Sequence, residues 1–424
     1  MNNNNDLKEA DMELFESGRM GTDRYEGINY ERMREYRRER TRQFMKDYNI
    51  GTLISFDAWD IRYITGHYVT IPVRWFESQY VVFPVNGDPY GFYQTSFSEF
   101  AARDEMPWMK DKIWTNHNTM LKLASTVEEI EPLVMSIVDI IAEHGLTDQT
   151  VGIDGTGRGM LLAEAFKRKG FKVMDAAPMM FHVRKIKCKE EIECVRQACM
   201  MAEAAFYDIK QNIHPGIREN ELLGIGMNRL YAQGADECQE FVVASGPRTN
   251  PLHIDFTDRQ IRPGDMVIVD VNGNSFQGYK SCYYRTFKCG KATQEEKEKY
   301  EECRALVYGA IDLMKAGATT EEVVQAWPDS PKYWGYDTWQ QVGGCAVAHG
   351  IGISLHEYPF FKRAAVEAGK IETLEEGMTI AVEVFTGDRD GKFGIRIEED
   401  VLVTKDGAEL LTKWPVDEIT ECPF

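Results

Sequence analysis

The sequence lacks both an excess of positive charge and long apolar runs. Its 49 Lys and Arg residues are outnumbered by 68 Asp and Glu residues, which gives the 424-residue chain a formal net charge of −19. Nucleic acid and anionic membranes attract basic surfaces, so neither is an expected partner. No apolar run approaches the roughly 18–20 residues that span a bilayer. Composition therefore disfavours nucleic-acid-binding and membrane-spanning classes of protein.

The sequence also lacks the cysteine spacing that marks a disulfide framework. Nine cysteines, an odd number, are present, and none forms a Cys-x-x-Cys pair. The opening stretch "MNNNNDLKEADMELFESGRMG" has neither the basic n-region nor the apolar h-region of a secretory signal. We therefore expect reduced thiols and a cytoplasmic protein.

The apolar pattern divides the chain into an arm and two domains. Residues 1–28 are polar and predict an N-terminal arm. In residues 29–183, strands such as "GTLISF" alternate with amphipathic helices, which is typical of an α/β domain. Residues 184–424 begin with two helical patterns and continue into strands and Gly-rich hairpins, interrupted by further helices. We place the domain boundary between residues 183 and 184.

Five polar residues of the second domain are candidates for chemistry: His253, Asp270, His349, Glu383 and Glu398. Asp270 ends an apolar strand that enters a hairpin, and Glu383 lies inside the apolar stretch "TIAVEVF". A buried carboxylate is costly unless it is paired or metal-bound. His, Asp and Glu are ligand types that Zn²⁺ and harder divalent cations use. The simplest alternative for Glu398 is an ion pair with Arg396, two residues earlier on the same strand face.

Five ordered motifs carry a resemblance to a known family. They are "PLHIDFTDRQIRPGDMVIVDVNG", "GYKSCYYRTF", "AHGIGISLHEYP", "LEEGMTIAVEVF" and "GIRIEEDVLVT", and together they resemble the creatinase/aminopeptidase P superfamily. The resemblance implies a creatinase-like α/β N-terminal domain, an α+β pita-bread catalytic domain and a homodimer. "FDAWDIRYITG" and "ASGPRTNP" look most similar to the branch that contains dimethylsulfoniopropionate lyase.

The resemblance implies a ligand set in which one member is altered. Metallopeptidases of the superfamily use two Asp, one His and two Glu residues, and the bridging Asp matches Cys282 here. The other Asp matches Asp270, or Asn272 in the register of a shorter hairpin. The metal ligands, if a metal is bound, are therefore Asp270, Cys282, His349, Glu383 and Glu398. Creatinase works without metal and uses a His as acid/base, and the matching residue is His253.

Several interpretations follow from this altered set. The first needs no cofactor: a creatinase-like hydrolase of C–N bonds in which His253 is the acid/base. In the second, one divalent metal (Zn, Fe or Mn) is held by Cys282, His349, Glu383 and Glu398 and hydrolyses an Xaa-Pro-like bond. A β-elimination lyase and a non-catalytic binding paralogue are further alternatives.

The expected substrate is a small zwitterionic or cationic molecule. Arg74 is a candidate partner for a substrate carboxylate, and Trp75 or Tyr284 for a cation. The full set of substrate-binding candidates is Arg74, Trp75, Tyr284, His356, Glu383 and Glu398.

Overall fold

The computed structural model describes residues 28–115, 121–387 and 391–424. The chain divides into two compact units between Val183 and Arg184. Apart from Ile28, the predicted N-terminal arm 1–28 lies outside the described residues. None of the helices in the described residues is long and apolar enough to cross a membrane.

The first unit is built on one mixed six-stranded sheet, whose strand order is β4-β3-β2-β1-β5-β6. The strands are β1 (Ile50–Ser55), β2 (Tyr80–Pro84), β3 (Tyr90–Tyr93), β4 (Ile113–Thr115), β5 (Thr150–Asp154) and β6 (Val173–Asp175). The α-helices are Tyr30–Asp47, Ala58–Thr65, Ile71–Phe76, Ser96–Glu105, Val127–Glu143, Gly159–Arg168 and Ala177–Val183. Short 3-10 helices are Pro107–Lys112 and Leu121–Leu123.

The helix Val127–Glu143 illustrates how this sheet is covered. The Thr126 hydroxyl caps the helix by accepting a hydrogen bond from the Glu129 amide at 3.3 Å. Its apolar residues recur at helical spacing, and Ile130, Val134 and Ile137 are buried in the same core cluster as the strand residues of the sheet. The apolar periodicity of this helix therefore gives it one face that is buried in the core with residues of the sheet.

The second unit contains two sheets, ordered β11-β10-β12-β13-β14 and β15-β9-β8-β7. The strands are β7 (Cys238–Ser245), β8 (Met266–Phe276), β9 (Tyr279–Cys289), β10 (Ala346–Gly350), β11 (Glu357–Phe361), β12 (Thr379–Thr386), β13 (Ile395–Val403), β14 (Ala408–Leu410) and β15 (Thr420–Cys422). The α-helices are Lys189–Asn212, Glu219–Gln233, Gln294–Asp312, Thr320–Val323, Trp339–Val342 and Arg363–Glu367. The 3-10 helices are Gly246–Arg248, Val324–Ala326 and Pro331–Trp334.

Strands β8 and β9 form a long antiparallel hairpin. The two residues between them, Gln277 and Gly278, both have positive φ (53° and 87°), which is the backbone of a type I′ turn. The pairing shifts register between Asn272 and Ser275, so residues before and after this irregularity are offset. The hairpin is buried along its whole length.

One face of β12 and β13 packs on the core of the second unit. Ile380, Val382 and Ile397 are buried there with apolar residues of the helix Gln294–Asp312. Because side chains alternate along a strand, Glu383 and Glu398 point to the opposite face. That alternation places two carboxylates away from the apolar core, on the side where the candidate site residues meet.

Candidate metal centre

The β8–β9 hairpin contributes Asp270 and Cys282 to one buried face. Asp270 lies opposite Tyr284, and Asn272 lies opposite Cys282. All four side chains are buried. Two-residue alternation brings them to the same side of the hairpin. The hairpin proposed from the sequence therefore presents an acid, an amide, a thiol and a phenol together.

Strands β10, β12 and β13 contribute His349, Glu383 and Glu398. Glu383 and Glu398 are direct cross-strand neighbours, and His349 pairs with Ala381 on the same sheet. The three side chains are buried. Like charges directly opposite each other are unfavourable, so this pair requires positive charge nearby or a bound proton.

Three of the predicted residues converge on one point. One ligand atom from each of Cys282, His349 and Glu398 lies within 4.8 Å of the other two. They come from three different strands, which the backbone holds in fixed positions. A thiol, an imidazole and a carboxylate form a donor set that suits Zn²⁺ or a similar ion.

Two of the three residues in this group have donor atoms without a hydrogen-bond partner among the described residues. In the described part of the chain, Nε2 of His349 and both carboxylate oxygens of Glu398 are buried without a hydrogen bond. Both oxygens of Asp270 share this condition. An unsatisfied buried polar group costs roughly 1–3 kcal/mol, and more when it is charged. The residues present therefore fit a cation, which would satisfy several orphaned acceptors at once.

The tautomer of His349 is set by its backbone. Nδ1 lies 2.9 Å from the carbonyl oxygen of Gly350, so Nδ1–H donates and Nε2 keeps its lone pair. Burial lowers the pKa of His349 to about 4, so the ring is neutral at physiological pH. A neutral imidazole with a free Nε2 is the form that binds metals.

The acidic groups are shifted toward their protonated forms. Burial, followed by the charges of Glu383 and Asp270, raises the pKa of Glu398 well above its ordinary value. Burial and Glu383 likewise raise the pKa of Asp270. Burial and the neighbouring Glu398 raise the pKa of the Cys282 thiol. Without a cation, burial and mutual repulsion hold protons on these groups.

Arg396 pairs with Glu383 and not with Glu398, so the simple ion pair considered from the sequence is wrong. Its guanidinium forms an ion pair with the Glu383 carboxylate, donates to the Gly344 carbonyl at 2.9 Å and lies 4.6 Å from the Tyr284 ring centroid. Arg396 is itself buried. Glu383 therefore already has a cationic partner, whereas the Glu398 oxygens form no ion pair or hydrogen bond with the described residues.

Asn272 is held by two neighbours. Its amide nitrogen donates to Glu240 at 3.1 Å, and its Oδ1 accepts a hydrogen bond from the Cys282 thiol at 3.0 Å. Glu240 pairs with Asn272 across β7 and β8, and sequence reasoning missed it. A hint was available, because Glu240 precedes the apolar run "FVVAS" at the start of a strand.

The other two predicted histidines are exposed to solvent. The ring of His356 packs 4.4 Å from the ring of His349, centroid to centroid. His253 lies in the segment between β7 and β8, and its Nδ1 is 2.9 Å from the Pro251 carbonyl oxygen. His356 thus adjoins the donor group, whereas His253 is not a member of it.

Arg74 and Trp75 belong to the first unit, on the helix Ile71–Phe76. The Arg74 Nε donates to the Val69 carbonyl at 2.6 Å, and its guanidinium lies 5.3 Å from the Tyr68 ring centroid. Trp75 is 64% exposed, and the Lys122 ammonium lies 4.1 Å from the centroid of its ring. Their proposed contacts with substrate stay predictions.

Comparison with known proteins identifies both units. Residues 193–405 match the family described as metallopeptidase family M24, and residues 37–186 match the creatinase/prolidase N-terminal domain. An Xaa-Pro dipeptidase of Pyrococcus furiosus is 31% identical over 281 residues, covering 65% of this chain and 77% of that protein. A dimethylsulfoniopropionate lyase of Roseovarius nubinhibens is 24% identical over 408 residues, covering 91% of this chain and 87% of the lyase.

Solved structures agree on the fold. An Xaa-Pro dipeptidase from Bacillus anthracis superimposes with a TM-score of 0.72 at 23% identity, over 92% of this chain and 99% of that one. The fold and site thus define a pita-bread protein with a creatinase-type N-terminal domain, as the sequence predicted. The chain belongs to metallopeptidase family M24. The predicted fold class and superfamily are confirmed.

The expectation that the site needs no cofactor is wrong. It rested on the missing carboxylate at Cys282, but the family to which the chain belongs is one of metallopeptidases. The physical reason is visible in the second unit. The loss of one carboxylate leaves a thiol in its place, and the donor atoms of Cys282, His349 and Glu398 still converge.

Proposed function

We propose that the protein is a metal-dependent hydrolase of small peptides, of the Xaa-Pro dipeptidase type. The observation that carries the proposal is the group of buried donor atoms from Cys282, His349 and Glu398, two of which have no partner in the described residues. Similarity to the Pyrococcus furiosus Xaa-Pro dipeptidase supports the substrate class. A divalent ion held by these three residues would polarise the scissile carbonyl and lower the pKa of a bound water.

The surrounding residues prepare this chemistry. The Gly350 carbonyl fixes His349 with its Nε2 lone pair available, and the Asn272 carbonyl oxygen orients the Cys282 thiol while that thiol is protonated. The Glu383–Arg396 pair supplies a fixed dipole beside Glu398, and burial keeps bulk water from screening it. These side chains therefore have geometries set before a substrate binds.

The test is hydrolysis by protein stripped of metal with a chelator. We expect the stripped protein to be inactive on Xaa-Pro dipeptides and to regain activity when Zn²⁺ or Mn²⁺ is added. Dipeptides without proline serve as the substrate control. Full metal loading without any peptide hydrolysis would overturn the proposal.

We assign proton transfer at the leaving amine to His253. Its Nδ1 is engaged with the Pro251 carbonyl and the residue is exposed, so Nε2 is the ring nitrogen that we assign to proton transfer. We expect His253→Gln to lower kcat about 100-fold, since general acid–base groups contribute on this scale. His214→Gln is the matched control, because His214 is also exposed with Nδ1 near a proline carbonyl. Equal kcat in the two variants would remove His253 from the mechanism.

A second candidate function is β-elimination. It is favoured by the similarity to the Roseovarius nubinhibens lyase, which extends over 91% of this chain. The same metal-loaded protein should be assayed with dimethylsulfoniopropionate for release of dimethyl sulfide. The homodimer and the cytoplasmic location remain predictions.

A further inference from the structure

We propose that the centre binds one ion per chain, with the Cys282 thiolate as a ligand, and that the guanidinium of Arg396 takes the place of a second cation. The inference rests on the proposed metal-dependent function in one respect: it takes a cation to be present at these donors. It adds how many ions bind, through which atoms, and why.

The three converging donors make one complete site. Cys282, His349 and Glu398 supply sulfur, nitrogen and oxygen from three strands. Three protein ligands with a fourth position open is the arrangement of catalytic Zn²⁺ sites. A thiolate is a soft ligand, so this set favours Zn²⁺ over Mn²⁺ or Mg²⁺.

Among the described residues, the neighbouring positions of the hairpin and of β12 offer one unpaired carboxylate for a second ion, that of Asp270. Asn272 donates its amide hydrogen to Glu240, and its Oδ1, which accepts from Cys282 only while that thiol is protonated, is a neutral oxygen and a weaker ligand than a carboxylate. Glu383 is committed to Arg396. Among the described residues on this part of the hairpin, Asp270 is the remaining carboxylate without a partner. One carboxylate does not make a second site.

Arg396 already performs the electrostatic task of a second cation. Its buried guanidinium neutralises Glu383, the residue directly opposite Glu398. The Gly344 carbonyl and the Tyr284 ring hold it from two further sides. A second divalent ion near Glu383 would have to displace this guanidinium from its buried ion pair, which is costly.

The first experiment measures ions per chain and the identity of the ligand. Protein loaded with Zn²⁺ and freed of excess metal should contain one zinc per chain, as measured by inductively coupled plasma mass spectrometry. Protein loaded with Co²⁺ should show a thiolate-to-cobalt charge-transfer band in the near ultraviolet. Two ions per chain, or no such band, would overturn the inference.

Variants separate the two parts of the inference. Cys282→Ser should abolish the band and weaken Zn²⁺ binding, whereas the control Cys199→Ser should retain both. Cys199 is also buried, and it donates to Asp400 outside the donor group. Arg396→Gln should allow a second equivalent of metal to bind, and a stoichiometry that stays at one would refute the role given to Arg396.

Failure of this inference is distinguishable from failure of the proposed function. Peptide hydrolysis by a protein that holds two ions would leave the function standing and overturn the single-ion site. One thiolate-bound ion without hydrolysis of any peptide would leave the single-ion site standing and overturn the proposed function. If Cys282→Ser does not fold, the stoichiometry and spectrum of the natural protein still decide.

Discussion

Two adjacent residues of β13, Glu398 and Glu399, are equally buried but lie in opposite environments. Glu399 faces the helix-covered core, where its carboxylate accepts hydrogen bonds from Arg285 at 2.7 Å, Tyr308 at 3.1 Å and the Thr412 hydroxyl. Glu398 faces the other side, and neither of its oxygens has a partner in the described residues. One strand thus carries a satisfied acid and an unsatisfied one side by side.

The difference separates an acid that is satisfied within the protein from a candidate metal ligand. Arg285 and Glu399 form a buried ion pair with further hydrogen bonds, so their positions are fixed from within the protein. The Cys282 thiol, His349 and further acids lie near Glu398, and burial raises the pKa of Glu398. A fold tolerates such a group at a site that a ligand completes.

The largest effect is expected on metal affinity when the unsatisfied acid is changed. Glu398→Gln removes a charged ligand but keeps the shape of the side chain. We expect the dissociation constant for Zn²⁺ to rise about 100-fold or more. Competition with a chromophoric chelator measures this, and Glu399→Gln should bind Zn²⁺ like the natural protein. Unchanged affinity in Glu398→Gln would remove it from the ligand set.

The next effect is on the free energy of unfolding. Here we expect Glu399→Gln to have the larger effect and Glu398→Gln the smaller one, the reverse of their order in metal affinity. Glu399→Gln leaves the buried Arg285 without its anion, which costs on the order of 3–5 kcal/mol of unfolding free energy. Glu398→Gln should leave the metal-free protein as stable as the natural one, or more so, because it removes an unpaired buried acid. Urea unfolding of the two metal-free variants tests the reversal. Equal losses would mean that both acids are structural.

A smaller effect is the pH dependence of the metal-free protein. The pKa values of Glu398 and Asp270 are raised in the folded state, so their contribution to stability is complete below the unfolded values. It is lost as the pH rises through the folded values. Between about pH 5 and about pH 8 these two acids therefore lower the Tm of the metal-free protein as the pH rises, and His349, whose pKa is lowered to about 4, contributes with the opposite sign.

A matched variant assigns this dependence to the site. Asp154 and Asp400 also have raised pKa values and contribute with the same sign. Glu398→Gln should therefore reduce the slope of Tm against pH without abolishing it, and bound Zn²⁺ should flatten it in the natural protein. The same slope in variant and natural protein would show that Glu398 does not titrate as inferred.

The smallest effect is expected away from both Glu398 and Glu399, at Arg74 in the first unit. We expect Arg74→Ala to raise the KM for substrates with a free carboxylate by about tenfold at most, the scale of one exposed charge-assisted contact. Lys122→Ala, which removes a cation beside Trp75 instead, is the control. An unchanged KM for every carboxylate-bearing substrate would exclude Arg74 from binding.

The fold was predictable from the sequence because its signals are local and ordered. The Pro-Gly turn and β-branched run before Asp270 mark a strand of the hairpin, and alternation in "TIAVEVF" places Glu383 away from the core. Motif order then predicts His349, Glu383 and Glu398 as site residues, and this stays a prediction. Turn residues, strand alternation and motif order each depend on short stretches of chain, so they can be read from the sequence.

The chemistry of the site was less predictable because it depends on pairing between distant segments. Arg396 meets Glu383 through the register of β12 and β13, which does not follow from the two-residue spacing to Glu398. The hydrogen bond between Cys282 and Asn272 depends on the pairing register of the hairpin, which shifts between Asn272 and Ser275. That donor atoms are left without partners is a property of the whole packed unit. From the sequence alone, Cys282 suggested a lost metal site.

The most direct test of the central claim is a titration of metal-stripped protein with Zn²⁺ while Xaa-Pro dipeptide hydrolysis is followed. We predict no hydrolysis at the start, a rise in proportion to added Zn²⁺, and a plateau at one equivalent per chain. Hydrolysis at full rate by the stripped protein would contradict the claim that this site works through a bound metal.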